Sequence, residues 1–379
     1  MKAIIHSIKP KLLNIFTHLH SHPEVSWEEY ETTKYIYSLL EPLGCRVTKF
    51  EGMTGLVAEI GEGKPVVALR ADIDALWQEV DGKFQANHSC GHDAHMTIVI
   101  GVLLTLIKKG FTKKGTFRFI FQPAEEKGTG ALAVLERDVI DDVDFLYGLH
   151  LRPIQELKYG QFSPAIEHGA ARFISGVIEG EDAHGARPHL NANSIQVGTD
   201  FFQKLNGIQI DPAIPHSVKM TAFQAGGKNS NIIPGNASFS IDIRSQTNDV
   251  MELLTRKVEK IASFLASYYN VKIKLTDEAY VPASVTSQEA IEIMSKSIID
   301  SVGEEKLTPN IQTTGGDDFH FYTIKRPHLK ATMLAIGCDL KPGLHHPNMT
   351  FKKEVIPEAV EIVSRTLINT VEKYSSIKE

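Results

Sequence analysis

Apolar residues recur at helical spacing where the chain begins. Ile5, Ile8, Leu12, Leu13, Phe16 and Leu19 fall roughly on one face, predicting a helix that ends near Ser21-His22-Pro23. Ser26 then reads as the N-cap of a second helix through Trp27 to Leu40. After Gly44 the pattern becomes short apolar runs, rich in β-branched or aromatic residues, at 55–60, 65–70, 116–121 and 143–150. A helical stretch from Met96 to Lys108 lies between them. Strand runs separated by helices predict an α/β fold, a mixed central sheet flanked by helices.

From about Arg172 the order is strand (173–178), helix (193–205), two strands including 237–243, helix (250–269), strand. That order is expected of a small α+β sandwich. A helix from Ser287 to Val302 and a strand over Leu329–Ile336 resume the first pattern. With 379 residues, two domains are expected: an inserted one over 171–279, inside a discontinuous larger one over 1–170 and 280–379.

Hydrophobic content of 42% and charged content of 23% fit an ordinary globular protein. A formal charge of −6 argues against a nucleic-acid surface. No secretory pattern and no membrane-spanning apolar run is evident. The three cysteines, Cys45, Cys90 and Cys338, suit a reducing compartment, so a cytoplasmic protein with small-molecule partners is expected.

The densest chemistry lies in Ala86-Asn87-His88-Ser89-Cys90-Gly91-His92-Asp93-Ala94-His95. On an extended backbone, Cys90 and His92 would point the same way and offer a borderline-soft metal site; the plainer alternative is a polar loop with a buried thiol. Ligands of open α/β sheets gather beyond the carboxyl ends of strands. There the chain places Glu125-Glu126 after strand 116–121, and His150 at the end of strand 143–149. Taken singly, the glutamates read as a solvated helix start and His150 as a loop histidine. His345 in Gly343-Leu344-His345-His346-Pro347 adds a further donor. Five such donors are about what two divalent ions with a bridging water require.

With these residues the chain resembles the dinuclear metallopeptidase family of aminoacylases and carboxypeptidase G. Within it the chain looks most like the amidohydrolases that cleave hippurate, indoleacetyl-amino acids and N-acetyl-diaminopimelate. The likeness rests on seven segments in the family's order: 20–24, 69–76, 90–95, 122–126, 185–189, 231–234 and 344–347. It implies Cys90, His92, Glu126, His150 and His345 as ligands of two divalent metal ions, zinc or manganese, with cobalt or nickel as further options. It also implies Glu125 as general base and Asp74 as the partner that orients a ligating histidine.

The inserted domain resembles the family's lid or dimerisation domain, which implies a homodimer. His184 matches a histidine that polarises the scissile carbonyl; Asn231 and Arg244 match positions that hold the substrate's carboxylate. Arg244 reads otherwise as a strand residue in a surface ion pair. The expected reaction is hydrolysis of an N-acyl amino acid by a metal-activated water. The alternatives are a dipeptidase or aminopeptidase on the same scaffold and, more remotely, a non-catalytic metal-binding or regulatory protein. The chain departs from the family pattern at Trp77, at Lys127-Gly128-Thr129-Gly130 and at Gly315-Gly316-Asp317-Asp318-Phe319. All lie near expected pocket walls.

Overall fold

The computed structural model describes residues 1–110 and 115–375, in two compact units. The larger comprises 1–167, 285–312 and 318–379; the smaller comprises 168–284 with 313–317. Among the described residues no helix is long and apolar enough to cross a membrane.

The larger unit is built on a seven-stranded sheet. Its strands in chain order are β1 (Arg46–Lys49), β2 (Leu56–Glu62), β3 (Val66–Asp72), β4 (Gly115–Gln122), β5 (Phe145–Pro153), β6 (Phe162–Ser163) and β7 (Lys330–Leu340). Their spatial order is β1-β2-β4-β3-β5-β7-β6. The four strands β4, β3, β5 and β7 run parallel to one another, and β1, β2 and β6 join the sheet through antiparallel pairings. Strands covered on both faces are mostly apolar, and β3 is buried along its whole length, with Arg70 and Asp72 its charged members. The helices Lys2–Ser21, His92–Lys109, Gln288–Val302 and Val355–Ser375 bury Leu12, Phe16, Leu103, Met294, Val360 and Leu367 in the same core. Parallel alignment brings the carboxyl ends of β3, β4, β5 and β7 to one edge, where loops are free to carry chemistry.

Three local expectations are corrected. The second helix starts at Tyr30 rather than near Ser26. Its free N–H groups at Glu31 and Thr32 are taken by the Glu24 carboxylate (3.1 and 2.7 Å), so Ser26 is not the cap. Ser26 Oγ instead donates to Asp74 Oδ2 at 2.7 Å. The helix expected from Met96 begins at His92. His150 does not end its strand but sits inside β5, paired with Ala335 of β7.

In the smaller unit, strands Ala170–Glu179, His216–Ala225, Ala237–Ser245 and Lys272–Val281 form an antiparallel sheet. Alternation along 237–245 turns Phe239, Ile241 and Ile243 inward. Helices Ser194–Asn206 and Asn248–Tyr269 cover that face through Val197, Phe201, Leu254 and Val258. Both are capped by a side chain. Asn193 accepts from Ile195 N–H and Thr247 from Val250 N–H.

Candidate metal centre

Cys90 and His92 converge by a route other than an extended backbone. Gly91 takes φ 91°, a left-handed turn, and His92 opens the helix that follows. Only glycine suits this position, since a Cβ there would also meet Leu151 Cδ1 at 2.9 Å. Cys90 Sγ lies 3.6 Å from His150 Nε2. His150 is oriented by its other nitrogen, Nδ1, which lies 2.6 Å from Leu151 O.

His92 is held the same way. Its Nδ1 lies 2.9 Å from Asp74 O and 3.2 Å from Asp74 Oδ1. With Nδ1–H donated to Asp74, Nε2 is the nitrogen that the neutral ring would offer to a cation. That Nε2 stands 3.8 Å from Glu125 Oε2, Glu126 Oε1 and Asp72 Oδ2. Glu126 Oε2 is 3.4 Å from His345 Nε2.

His345 adopts φ 64° and is fixed by its backbone. Its N–H donates to Ser89 O at 2.7 Å and its carbonyl accepts from Gln78 Nε2 at 3.0 Å. Gln78 belongs to a hairpin, Leu76–Val80 with Lys83–Asn87, whose Asn87 also donates to Pro347 O. Trp77 lies exposed on the same hairpin.

Donor atoms of Cys90, His92 and His150 lie within 4.8 Å of one another, as do those of Cys90, Glu126 and His345. The two triads share Cys90. His92 Nε2 and Glu126 Oε1 are buried and lack a hydrogen-bond partner. Buried polar atoms are normally satisfied, so two such atoms beside a thiol fit a cation. The mixture of sulfur, imidazole and carboxylate suits a borderline divalent metal.

Local charge follows from burial. Burial and the nearby Glu126 carboxylate push the Cys90 thiol well up. Burial, then His95 and Arg152, hold the His150 imidazole well down. For His92 burial works downward, but Asp72, Cys90 and the hydrogen bond to Asp74 outweigh it. The hydrogen bond to Glu126 raises His345. Burial pushes the Glu29 carboxyl up, partly offset by a hydrogen bond from Thr54.

Several neighbours were not singled out as site residues from the sequence. Asp72 Oδ1 holds His95 Nδ1 at 2.7 Å, and His95 Nε2 accepts from Leu151 N–H at 3.0 Å. Buried Arg70 joins Asp72 (2.6 Å) to Asp318 (2.7 Å), and Gln122 and the Ala131 N–H also reach Asp318. Asp72 shares strand parity with Asp74, and His95 lies one turn from His92. Those spacings were a usable signal, whereas no spacing links Arg70 to Asp318, 248 residues away. Asp318→Ala strips a carboxylate from a buried cation. It is expected to destabilise folding by about 3–5 kcal/mol, measured by urea unfolding.

The smaller unit places His184 in a two-residue strand paired with Ile232–Ile233. The register sets His184 opposite Ile232, and Gly185 N–H donates to Asn231 O at 2.7 Å one residue further on. His184 Nδ1 accepts from Ala186 N–H at 3.0 Å, which puts the proton of the neutral ring on Nε2. Arg244 lies on the four-stranded sheet, where Asp242 engages its Nε and Nη2 (2.7 and 3.2 Å) and its guanidinium stacks on Phe173.

A parallel-sheet edge that gathers thiol, imidazole and carboxylate at one buried point has the construction of a metal-dependent hydrolase. Residues 68–369 match peptidase family M20/M25/M40. An N-acetyl-L-cysteine deacetylase of Bacillus subtilis is 29% identical, over 93% of this chain and 86% of that protein. Thermostable carboxypeptidase 2 of Saccharolobus solfataricus is 31% identical, over 93% and 92%. The crystal structure of the Bacillus subtilis YXEP protein, described as a dinuclear metal binding peptidase, superposes with a TM-score of 0.82. It is 27% identical and covers 97% of this chain and 99% of its own. The chain belongs to peptidase family M20/M25/M40, and it is an amide-bond hydrolase with a centre for divalent metal.

Proposed function

We propose that the protein hydrolyses the amide bond of N-acyl amino acids, with Cys90, His92, Glu126, His150 and His345 holding two divalent ions. The observation that carries this reading is Cys90's membership of two donor triads, beside two buried atoms without partners. Zinc suits the thiolate best, with manganese, cobalt or nickel as the other options. Bound metal supplies Lewis acidity that lowers the pKa of water from about 16 toward about 7. Glu125 takes the proton of the attacking water and returns it to the departing amine. Asp74 fixes His92 through Nδ1 and, through Glu126 N–H, the backbone that carries both glutamates.

In this reading the larger unit is the catalytic domain and the smaller is a lid that also pairs two subunits of a cytoplasmic homodimer. His184 offers its Nε2–H to the scissile carbonyl. Asn231 and the Nη1 edge of Arg244 take the free carboxylate of the substrate. His184→Ala is therefore expected to lower turnover at least about a hundredfold with bound metal intact. Near-normal turnover would remove the residue from the chemistry.

The overall test is a panel of N-acetyl, N-benzoyl and indoleacetyl amino acids beside free dipeptides, with metal analysis of the same sample. Release of free amino acid from acylated substrates, with dipeptides left intact, is the expected result. The likeness to a thermostable carboxypeptidase favours a second reading, a peptidase on the same centre. Preferential cleavage of the peptides would establish that one instead.

A further inference from the structure

Two buried carboxylates grip the backbone on either side of Glu125. Asp74 Oδ2 accepts from Glu126 N–H at 3.0 Å, and Glu29 Oε1 accepts from Ala124 N–H at 2.9 Å. Ala124 has φ 52°, a left-handed conformation that a residue with a Cβ keeps only when its surroundings impose it. Its carbonyl is tied down too, accepting from Thr129 and Gly130 N–H at 3.4 and 3.2 Å.

Glu29 is fully buried, and among the described residues no salt bridge neutralises it. Burying a carboxylate without a counter-ion is costly. Nor does this one cap its own helix, a task that falls to Glu24. Its outer oxygen accepts from Thr54 Oγ1 at 2.6 Å, and its backbone carbonyl accepts from Thr33 N–H and Oγ1. The side chain is thus locked from behind, with one oxygen spent on the N–H of Ala124, the residue before Glu125.

We infer that Glu29 is a positioning residue for Glu125, holding the left-handed turn at Ala124 and so the direction in which the Glu125 side chain leaves the strand end. The inference rests on Glu125 being the general base. It concerns reach rather than charge. Glutamine at 29 can still accept from Ala124 N–H through Oε1 while donating to Thr54 Oγ1. Aspartate keeps the charge but falls one methylene short of both partners.

The test uses the metal-loaded enzyme. Glu29→Asp is expected to lower kcat about ten- to a hundredfold, with KM within about threefold and bound metal unchanged. Glu29→Gln is expected to restore kcat to within about threefold of wild type. In a Glu125→Gln background, Glu29→Asp should change the residual rate by less than about twofold, since the group it positions is gone. Equal losses in both backgrounds overturn the inference, as does a folded Glu29→Asp with wild-type kcat or a Gln variant as poor as Asp. Thr54→Val loosens only the outer oxygen and serves if Glu29→Asp does not fold. A three- to about tenfold loss of kcat, absent in the Glu125→Gln background, is expected of it, and unchanged kcat refutes the role. Glu125→Gln alone tests the underlying reading. Full turnover there ends the base assignment, whereas an inactive Glu125→Gln beside a normal Glu29→Asp ends only the positioning role.

Discussion

Glu125→Gln is expected to lower kcat by about two to four orders of magnitude while bound metal stays near the wild-type level. Glu126→Gln is expected to lose metal first and turnover as a consequence. The two side chains leave adjacent residues yet meet different surroundings. Glu126 faces His92 Nε2 with one oxygen and His345 Nε2 with the other, inside the donor cluster. An amide there removes an anion and turns either a neutral oxygen or an N–H toward the cation. Glu125 joins a triad with His92 and Glu126 but contributes no atom to either triad that contains Cys90. Their exposure does not separate the two glutamates, at 11% and 9%; the difference lies in the donors each one meets. Glutamine at 125 keeps the shape and removes only the capacity to accept a proton. Metal content by mass spectrometry, measured beside kcat, separates the two. Equal metal loss in both variants would refute the division of labour.

The sheet was legible in the sequence because parallel strands buried on both faces are largely apolar runs, as at Val66–Leu69 and Phe119–Phe121. The start of the helix at His92 was not legible. His92, Asp93 and His95 are polar, so hydrophobic periodicity places the boundary at Met96, although all three are buried. The centre overrides the pattern there. The helix Val355–Ser375 was missed despite Val355, Ile356, Ala359, Val360, Val363 and Leu367 at helical spacing. At Ser26, local propensity misled, since a serine before a helical run suits a cap as well as it suits a distant carboxylate. The Cys90–His92 spacing pointed to a shared target for the wrong geometric reason, because a glycine in the left-handed region does what an extended strand was expected to do. Partners joined only through the fold, such as Arg70 with Asp318 or Glu29 with Ala124, leave no periodicity to detect.

Cys90→Ala is expected to abolish turnover and strip most of the bound metal, because Cys90 belongs to both triads and no other thiol is near. Cys338, buried in β7, and Cys45, half-buried before β1, make no contact with the donor cluster, so substituting either leaves metal content unchanged. The thiol also sets a pH dependence whose sign can be worked out. Burial and the Glu126 charge raise the Cys90 pKa, so without metal the group is a neutral thiol at pH 7. Only the thiolate ligates, so binding must expel that proton, and affinity rises with pH below the thiol pKa. The expected contribution is about one proton per subunit, or roughly a tenfold gain in affinity per pH unit. Calorimetric titration with metal in buffers of differing ionisation enthalpy counts the protons released. Any weak binding left in Cys90→Ala should release about one proton fewer than wild type. An equal count in the two proteins would place the thiol outside the metal's coordination sphere.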